Sequence, residues 1–218
     1  MRSRFSEELR ELHGSLFMMS VLCEDAISCA LKALFEQDMR LREKVETLEI
    51  QINEKEREID EHCVALILRE QPIAGDLRAI TTAQKMIVDM ERIGDQAQDI
   101  AELSEYCACV GVGPANIIPL KAMAQEAIQM LSMSIDAFMA QDETTARNAI
   151  AKDDVIDRLF LECKKSLVRQ IRHNTVTEES ALDLLMVAKY LERIGDHSEN
   201  IAQQVIYSIH GEYPGELV

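Results

Sequence analysis

The pentapeptide Glu91-Arg92-Ile93-Gly94-Asp95 recurs unchanged as Glu192-Arg193-Ile194-Gly195-Asp196, so this chain of 218 residues uses one unit twice. Downstream the echo keeps the same offset of 101: Ile100-Ala101 returns as Ile201-Ala202, and Asp99 is matched by Asn200. Upstream the offset is 104, pairing Gln37-Asp38 with Gln141-Asp142, Glu49 with Asp153 and Asn53 with Asp157. A three-residue difference in loop length accounts for the change. Self-similarity at about one hundred residues marks a duplicated domain rather than a solenoid of short units. Each copy has enough chain for a core of its own. The stretch CVGVGPAN at 109–116 places the expected boundary, giving domains 1–112 and 113–218.

Leu, Ile, Met and Ala dominate the apolar residues, Trp is absent, and only 8 Gly and 4 Pro interrupt the chain. That balance suits helices packed on helices, an all-α class. The formal charge of -16 excludes non-specific nucleic-acid binding, which needs clustered cations, and disfavours adsorption to anionic lipid. Six cysteines, Cys23, Cys29, Cys63, Cys107, Cys109 and Cys163, form no CxxC pair and read as reduced, buried thiols. The N-terminal MRSRFSEELRELHG lacks an apolar signal region, and no unbroken apolar run is long enough for a membrane span. A cytoplasmic protein without membrane insertion is expected.

Phe5, Leu9, Leu12, Leu16, Met19, Cys23, Ala26, Ala30 and Ala33 alternate steps of four and three, the seam of a long first helix. Asp38 can cap a second helix carrying Leu41, Val45, Leu48, Ile52, Ile59, Cys63 and Leu66 on its apolar face. Pro72 and Gly75 break the pattern before a third helix begins near Asp76. The second copy repeats the plan, with helices from about Ile118 to Ala140, Asp142 to His173 and Thr177 to His210. Short connections force antiparallel neighbours, so two tandem three-helix bundles of six long helices result. The tail GEYPGELV is expected to fray.

On the third helix Glu91 and Asp95 are four residues apart and share a face, with Asp99 one turn further. Glu49 and Asn53 stand at the same spacing on the second helix, and both pairs fall roughly 15 Å from the same bundle end at about 1.5 Å per residue. They should face each other. The second copy repeats the geometry, giving two oxygen-rich clusters: Glu49, Asn53, Glu91, Asp95 and Asp99; then Asp153, Asp157, Glu192, Asp196 and Asn200. Like charges this close repel, which invites a compensating cation. All-oxygen sets suit magnesium or manganese, and iron where carboxylates bridge several ions; zinc is the remaining candidate. The plainer alternative is a set of acids flanking an apolar stripe and paired with Lys or Arg. Gly94 and Gly195, costly inside helices, point to close helix approach beside the acids.

The segment Asp89-Met90-Glu91-Arg92-Ile93-Gly94-Asp95-Gln96-Ala97-Gln98-Asp99-Ile100-Ala101-Glu102, together with LERIGDHSENIAQQVIYSIHG in the second copy, resembles the signature of the PhoU family of bacterial phosphate-uptake regulators. Gln71-Pro72-Ile73-Ala74-Gly75-Asp76-Leu77-Arg78 is similar to the family's QPxAxDLR turn, and Glu49 with Ile52-Asn53 to its DxxIN helix, with Glu in place of the usual Asp. The resemblance spans the whole chain. It implies two three-helix repeats bearing metal clusters, and a non-enzymatic negative regulator that couples a phosphate ABC transporter ATPase to a sensor histidine kinase. A homodimer is expected. Two other readings stay open: a metal-independent helical scaffold, and a di-metal carboxylate enzyme. The enzyme lacks support because no Glu-x-x-His motif exists; Arg10, Ile59, Gln170, Ile194 and Tyr207 stand three before the histidines.

Overall fold

Aspartates at the helix junctions set the frame of this computed structural model, which describes residues 2–106 and 114–213, with side-chain environments from Arg4 to Ser104 and from Pro119 to Tyr213. Asp38 Oδ1 accepts from the backbone N–H of Arg40 at 2.9 Å, and Asp142 Oδ1 accepts from that of Thr144 at the same distance. Each follows a glutamine in the left-handed region, Gln37 at φ 51° and Gln141 at φ 52°. The sequence repeat at offset 104 is therefore a repeat of one turn: a left-handed residue stops a helix and the following Asp starts the next.

Along the chain run α1 (Arg2–Glu36), α2 (Met39–Glu70), α3 (Gly75–Tyr106), α4 (Pro114–Ala140), α5 (Glu143–Ile150), α6 (Asp153–Arg172) and α7 (Glu178–His210). Helices α1, α2 and α3 pack together as one bundle, and α4, α5, α6 and α7 as its copy. The expected continuous helix from Asp142 to about His173 is interrupted at Ala151 and Lys152. There Lys152 N donates to Ala149 O at 3.1 Å and Val155 N to Lys152 O at 2.9 Å. Such three-residue steps tighten the helix locally, so one rod is drawn as α5 and α6. The expected boundary at 109–116, Cys107, Cys109 and the last five residues of the tail lie wholly or mostly outside the described residues.

The first helix buries the seam its spacing foretold: Leu12, Leu16, Met19, Cys23, Ala26, Ala30 and Ala33 are all inaccessible, with Phe5 and Leu9 packed at the margin. Its most apolar stretch has a mean hydropathy of 1.4, long and apolar enough to cross a membrane by length and composition. Half of that stretch faces the bundle interior, where burial at roughly 25 cal/mol per Å² of apolar surface supplies the drive to fold. Cys23, Cys29, Cys63 and Cys163 are buried free thiols; burial pushes Cys63 up to about 12 and Cys163 up to about 11.

The halves join where α3 packs on α7 and α1 on α4, and their buried side chains form one continuous core. Helices α3 and α7 run antiparallel. Arg78 Nε reaches Ser208 O at 3.4 Å near one end, while His197 and Asn200 meet Asp89 nearer the middle. His13 of α1 meets the Phe138 ring of α4 edge-on at 5.3 Å.

Candidate metal centres

Each half brings its middle and last helices together at the repeated acid pair, and glycine makes the approach possible. A Cβ on Gly94 would stand 3.1 Å from Ile52 Cδ1 of α2; one on Gly195 would stand 2.8 Å from Ile156 Cδ1 and 3.5 Å from Asp153 Oδ1 of α6. Close backbone approach thus sets carboxylates from two helices in one electrostatic neighbourhood.

In the first half, Asn53 Nδ2 donates to Glu49 Oε1, leaving Asn53 Oδ1 buried with no partner. Burial pushes the Glu91 carboxyl up, and repulsion from Asp95, Glu56 and Glu49 adds to it against the pull of Arg92. Glu91 on α3 therefore feels the charge of Glu49 on α2. Arg92 holds the rim, with Nη1 2.9 Å from Asp95 Oδ2 and Nε 3.4 Å from Glu91 Oε2. Asp99 is also raised, first by burial and then by Glu102 and Asp95, but it lies toward α7, where Arg193 opposes the shift.

In the second half the crowding is more severe. The Asp153 carboxyl is pushed up to about 6 by burial, then by Glu199, Asp157, Asp196 and Asp154. Asp153 lies in the first turn of α6, where the helix dipole favours an anion, so burial and repulsion outweigh the dipole. Asp153 Oδ1 is buried and unpartnered. Burial also raises Asp196, with Glu192 and Asp157 adding repulsion and Lys189 and His197 opposing it. Lys189 Nζ pairs with Glu192 Oε2 at the rim.

Asn200 turns away from this group. Its Nδ2 donates to Asp89 Oδ1 at 3.3 Å, the oxygen that His197 Nδ1 meets at 2.9 Å. Glu199 adds the largest repulsion on Asp153 from outside the expected set, and its signal was present in the spacing. Seven residues from Glu192 leave a side chain about 20° off the starting face at about 100° per residue, whereas eight leave it about 80° off.

A third donor set joins α1 to α2. Single donor atoms of Glu8, Glu11 and His62 lie within 4.8 Å of one another, with His62 Nε2 3.2 Å from Glu8 Oε2. Two carboxylates and an imidazole can hold a zinc or manganese ion. The antiparallel register about the Gln37 turn places these residues at similar heights, a signal that separate inspection of each helix misses. The duplicated clusters offer oxygen alone. Their repulsion and their orphaned buried oxygens, Asn53 Oδ1 and Asp153 Oδ1, fit a hard divalent cation.

The PhoU domain model matches residues 16–104 and 120–205, one match per half. A phosphate-specific transport system accessory protein PhoU homolog of Pseudomonas aeruginosa is 33% identical over 208 residues, covering 95% of this chain and 86% of its own. The phosphate-specific transport system accessory protein PhoU of Escherichia coli K12 is 30% identical over 209 residues, covering 96% and 86%. A crystal structure of PhoU from Pseudomonas aeruginosa superposes with a TM-score of 0.87 at 33% identity, over 95% of this chain and 100% of that one. With a match in each half, and with the duplicated acid pair and shared fold in place, the chain belongs to the PhoU family.

Proposed function

We propose that this chain is a cytoplasmic, non-enzymatic negative regulator of phosphate uptake, acting between a phosphate ABC transporter ATPase and a sensor histidine kinase. Its relatives' description as phosphate-specific transport system accessory proteins supports the first part. The observation that supports the chemistry is the mutual repulsion of carboxylates in each half, with Asp153 raised to about 6, although among the described residues only Glu8, Glu11 and His62 hold three donor atoms within 4.8 Å of one another. In this reading Glu49, Asn53, Glu91 and Asp95 hold a divalent cation in one half, and Asp153, Asp157, Glu192 and Asp196 hold another. A bound ion supplies positive charge where carboxylates alone repel phosphate. Asp99 and Asn200 act beside these sets, at the junction of α3 and α7.

Elemental analysis of protein purified without chelator tests the metal. Asp95→Ala and Asp196→Ala should each lower the bound manganese, magnesium or iron; unchanged content in both removes the metal from the reading. A phosphate-responsive reporter in cells lacking their own PhoU protein tests the regulation. The chain should restore repression in rich phosphate. A metal-independent scaffold is the second reading, favoured by Arg92 and Lys189, which already pair with acids at each rim. It predicts full repression by both variants.

A further inference from the structure

Helix α6 buries Ile156, Cys163 and Leu167 against the bundle and presents a different chemistry outward. Leu161, Lys164, Lys165, Val168, Arg169 and Arg172 line a shallow open groove along its outer face. Leu161 is 50% exposed and Val168 45%. From Cys163 to His173 the sequence holds no acidic residue, although acids outnumber Lys and Arg by 39 to 23 in the chain. Elsewhere cations find acids: Lys55 pairs with Glu58, Arg147 with Glu143 and Lys152 with Glu126. Among the described residues the four cations of this groove form no ion pair. The stripe is a local exception to the acidic surface, and a screening length of about 8 Å lets it act as one.

Leu161 and Val168 are seven residues apart and so share a face, with Lys164 and Lys165 between them and Arg169 and Arg172 following. An apolar seam edged by cations is the complement of an amphipathic helix whose apolar residues recur every seven positions with Asp or Glu beside them. The span from Leu161 to Arg172 is about 17 Å at about 1.5 Å per residue, room for three turns of such a helix. We infer that the outer face of α6 docks an acidic amphipathic helix of a partner protein. A bilayer is the poorer occupant. The groove offers two aliphatic side chains and no aromatic residue, and a chain of charge -16 is repelled by anionic lipid over all its remaining surface. The inference does not depend on metal at the carboxylate clusters.

Fluorescence anisotropy with the full chain tests it, using a labelled helical peptide of about 18 residues with Leu at seven-residue spacing and Glu alongside. Two comparison peptides carry the same residues with Leu moved off the stripe, or Lys in place of Glu. The unsubstituted chain should bind the first peptide and neither control, and added salt should weaken binding. Lys164→Glu with Arg169→Glu should weaken it roughly ten-fold or more, as should Leu161→Ser with Val168→Ser. Lys164→Gln with Arg169→Gln supplies a milder variant, with helicity checked by circular dichroism. Failure of the unsubstituted chain to bind the first peptide overturns the proposal, as does equal binding of the shuffled peptide or unchanged binding by either strong variant. Tighter binding to phosphatidylglycerol vesicles makes lipid the occupant, and self-association abolished by the charge reversal makes it a second copy; either result also overturns the proposal.

Discussion

His197 Nδ1 on α7 lies 2.9 Å from Asp89 Oδ1 on α3, and the same oxygen accepts from Asn200 Nδ2 at 3.3 Å. One half-buried carboxylate therefore ties the two copies together. Asp89→Ala strips the partner from two polar side chains at once and should lower stability by about 1–3 kcal/mol. Urea unfolding of the variant beside the parent measures this; equal midpoints would assign the junction to apolar packing alone.

The metal-free protein should grow less stable as pH rises from about 4 to about 6. Asp153 has an ordinary value of 3.8 when unfolded and about 6 in the fold, so within that window the folded chain binds the extra proton. Stability falls as the proton leaves and levels off above the folded value. Asp153→Asn should flatten this slope and raise the melting temperature at pH 7. Melting scans across pH without divalent ions read both effects.

Metal should reverse the same dependence. Cations bind the deprotonated carboxylates, so the rise in melting temperature on adding manganese should be large at pH 7.5 and shrink below about 6, where Asp153 takes up its proton. A thermal shift independent of pH would count against coordination by this group.

Gly195→Ala should cost more than Gly94→Ala. The added methyl meets Ile156 Cδ1 at 2.8 Å in one case and Ile52 Cδ1 at 3.1 Å in the other, both on fully buried side chains. Overpacking costs about 1–3 kcal/mol, against a helix-propensity gain for alanine of about 1 kcal/mol. The net should be a loss at Gly195 and close to balance at Gly94. Denaturant midpoints of the two variants decide the order.

The third donor set separates ions by softness. His62→Ala should diminish the thermal response to zinc while leaving the response to magnesium unchanged, because magnesium prefers oxygen and zinc accepts imidazole. Parallel melts with each ion compare them.

Much of this architecture was legible because duplication displayed it twice. The Gln-Asp pairs at 37–38 and 141–142 gave both helix junctions, and the seam of α1 gave its buried face. That Glu49 and Glu91 lie near enough to repel followed from helix rise alone. What escaped depended on contacts between elements. Asn200 was assigned by matching Asp99, yet its side chain is claimed by Asp89 from the other half, a neighbour that no spacing within α7 reveals. Lys189 has no cationic counterpart in the first copy, where Val88 stands, so comparison of the copies could not flag it. The tightened turn at Ala151 carries neither Gly nor Pro. Its sequence differs from uninterrupted helix only in the adjacent Asp153 and Asp154, the first of which turns inward.

That turn removes the equality which copying began with. The first half carries its acids on an unbroken α2, whereas in the second Asp153 opens a new segment and feels Glu199, for which the first half has only Gln98. Two acid groups descended from one unit have thus become unequal in crowding, and if both take cations as proposed they would fill in sequence, over a wider range of ion concentration than matched twins would span.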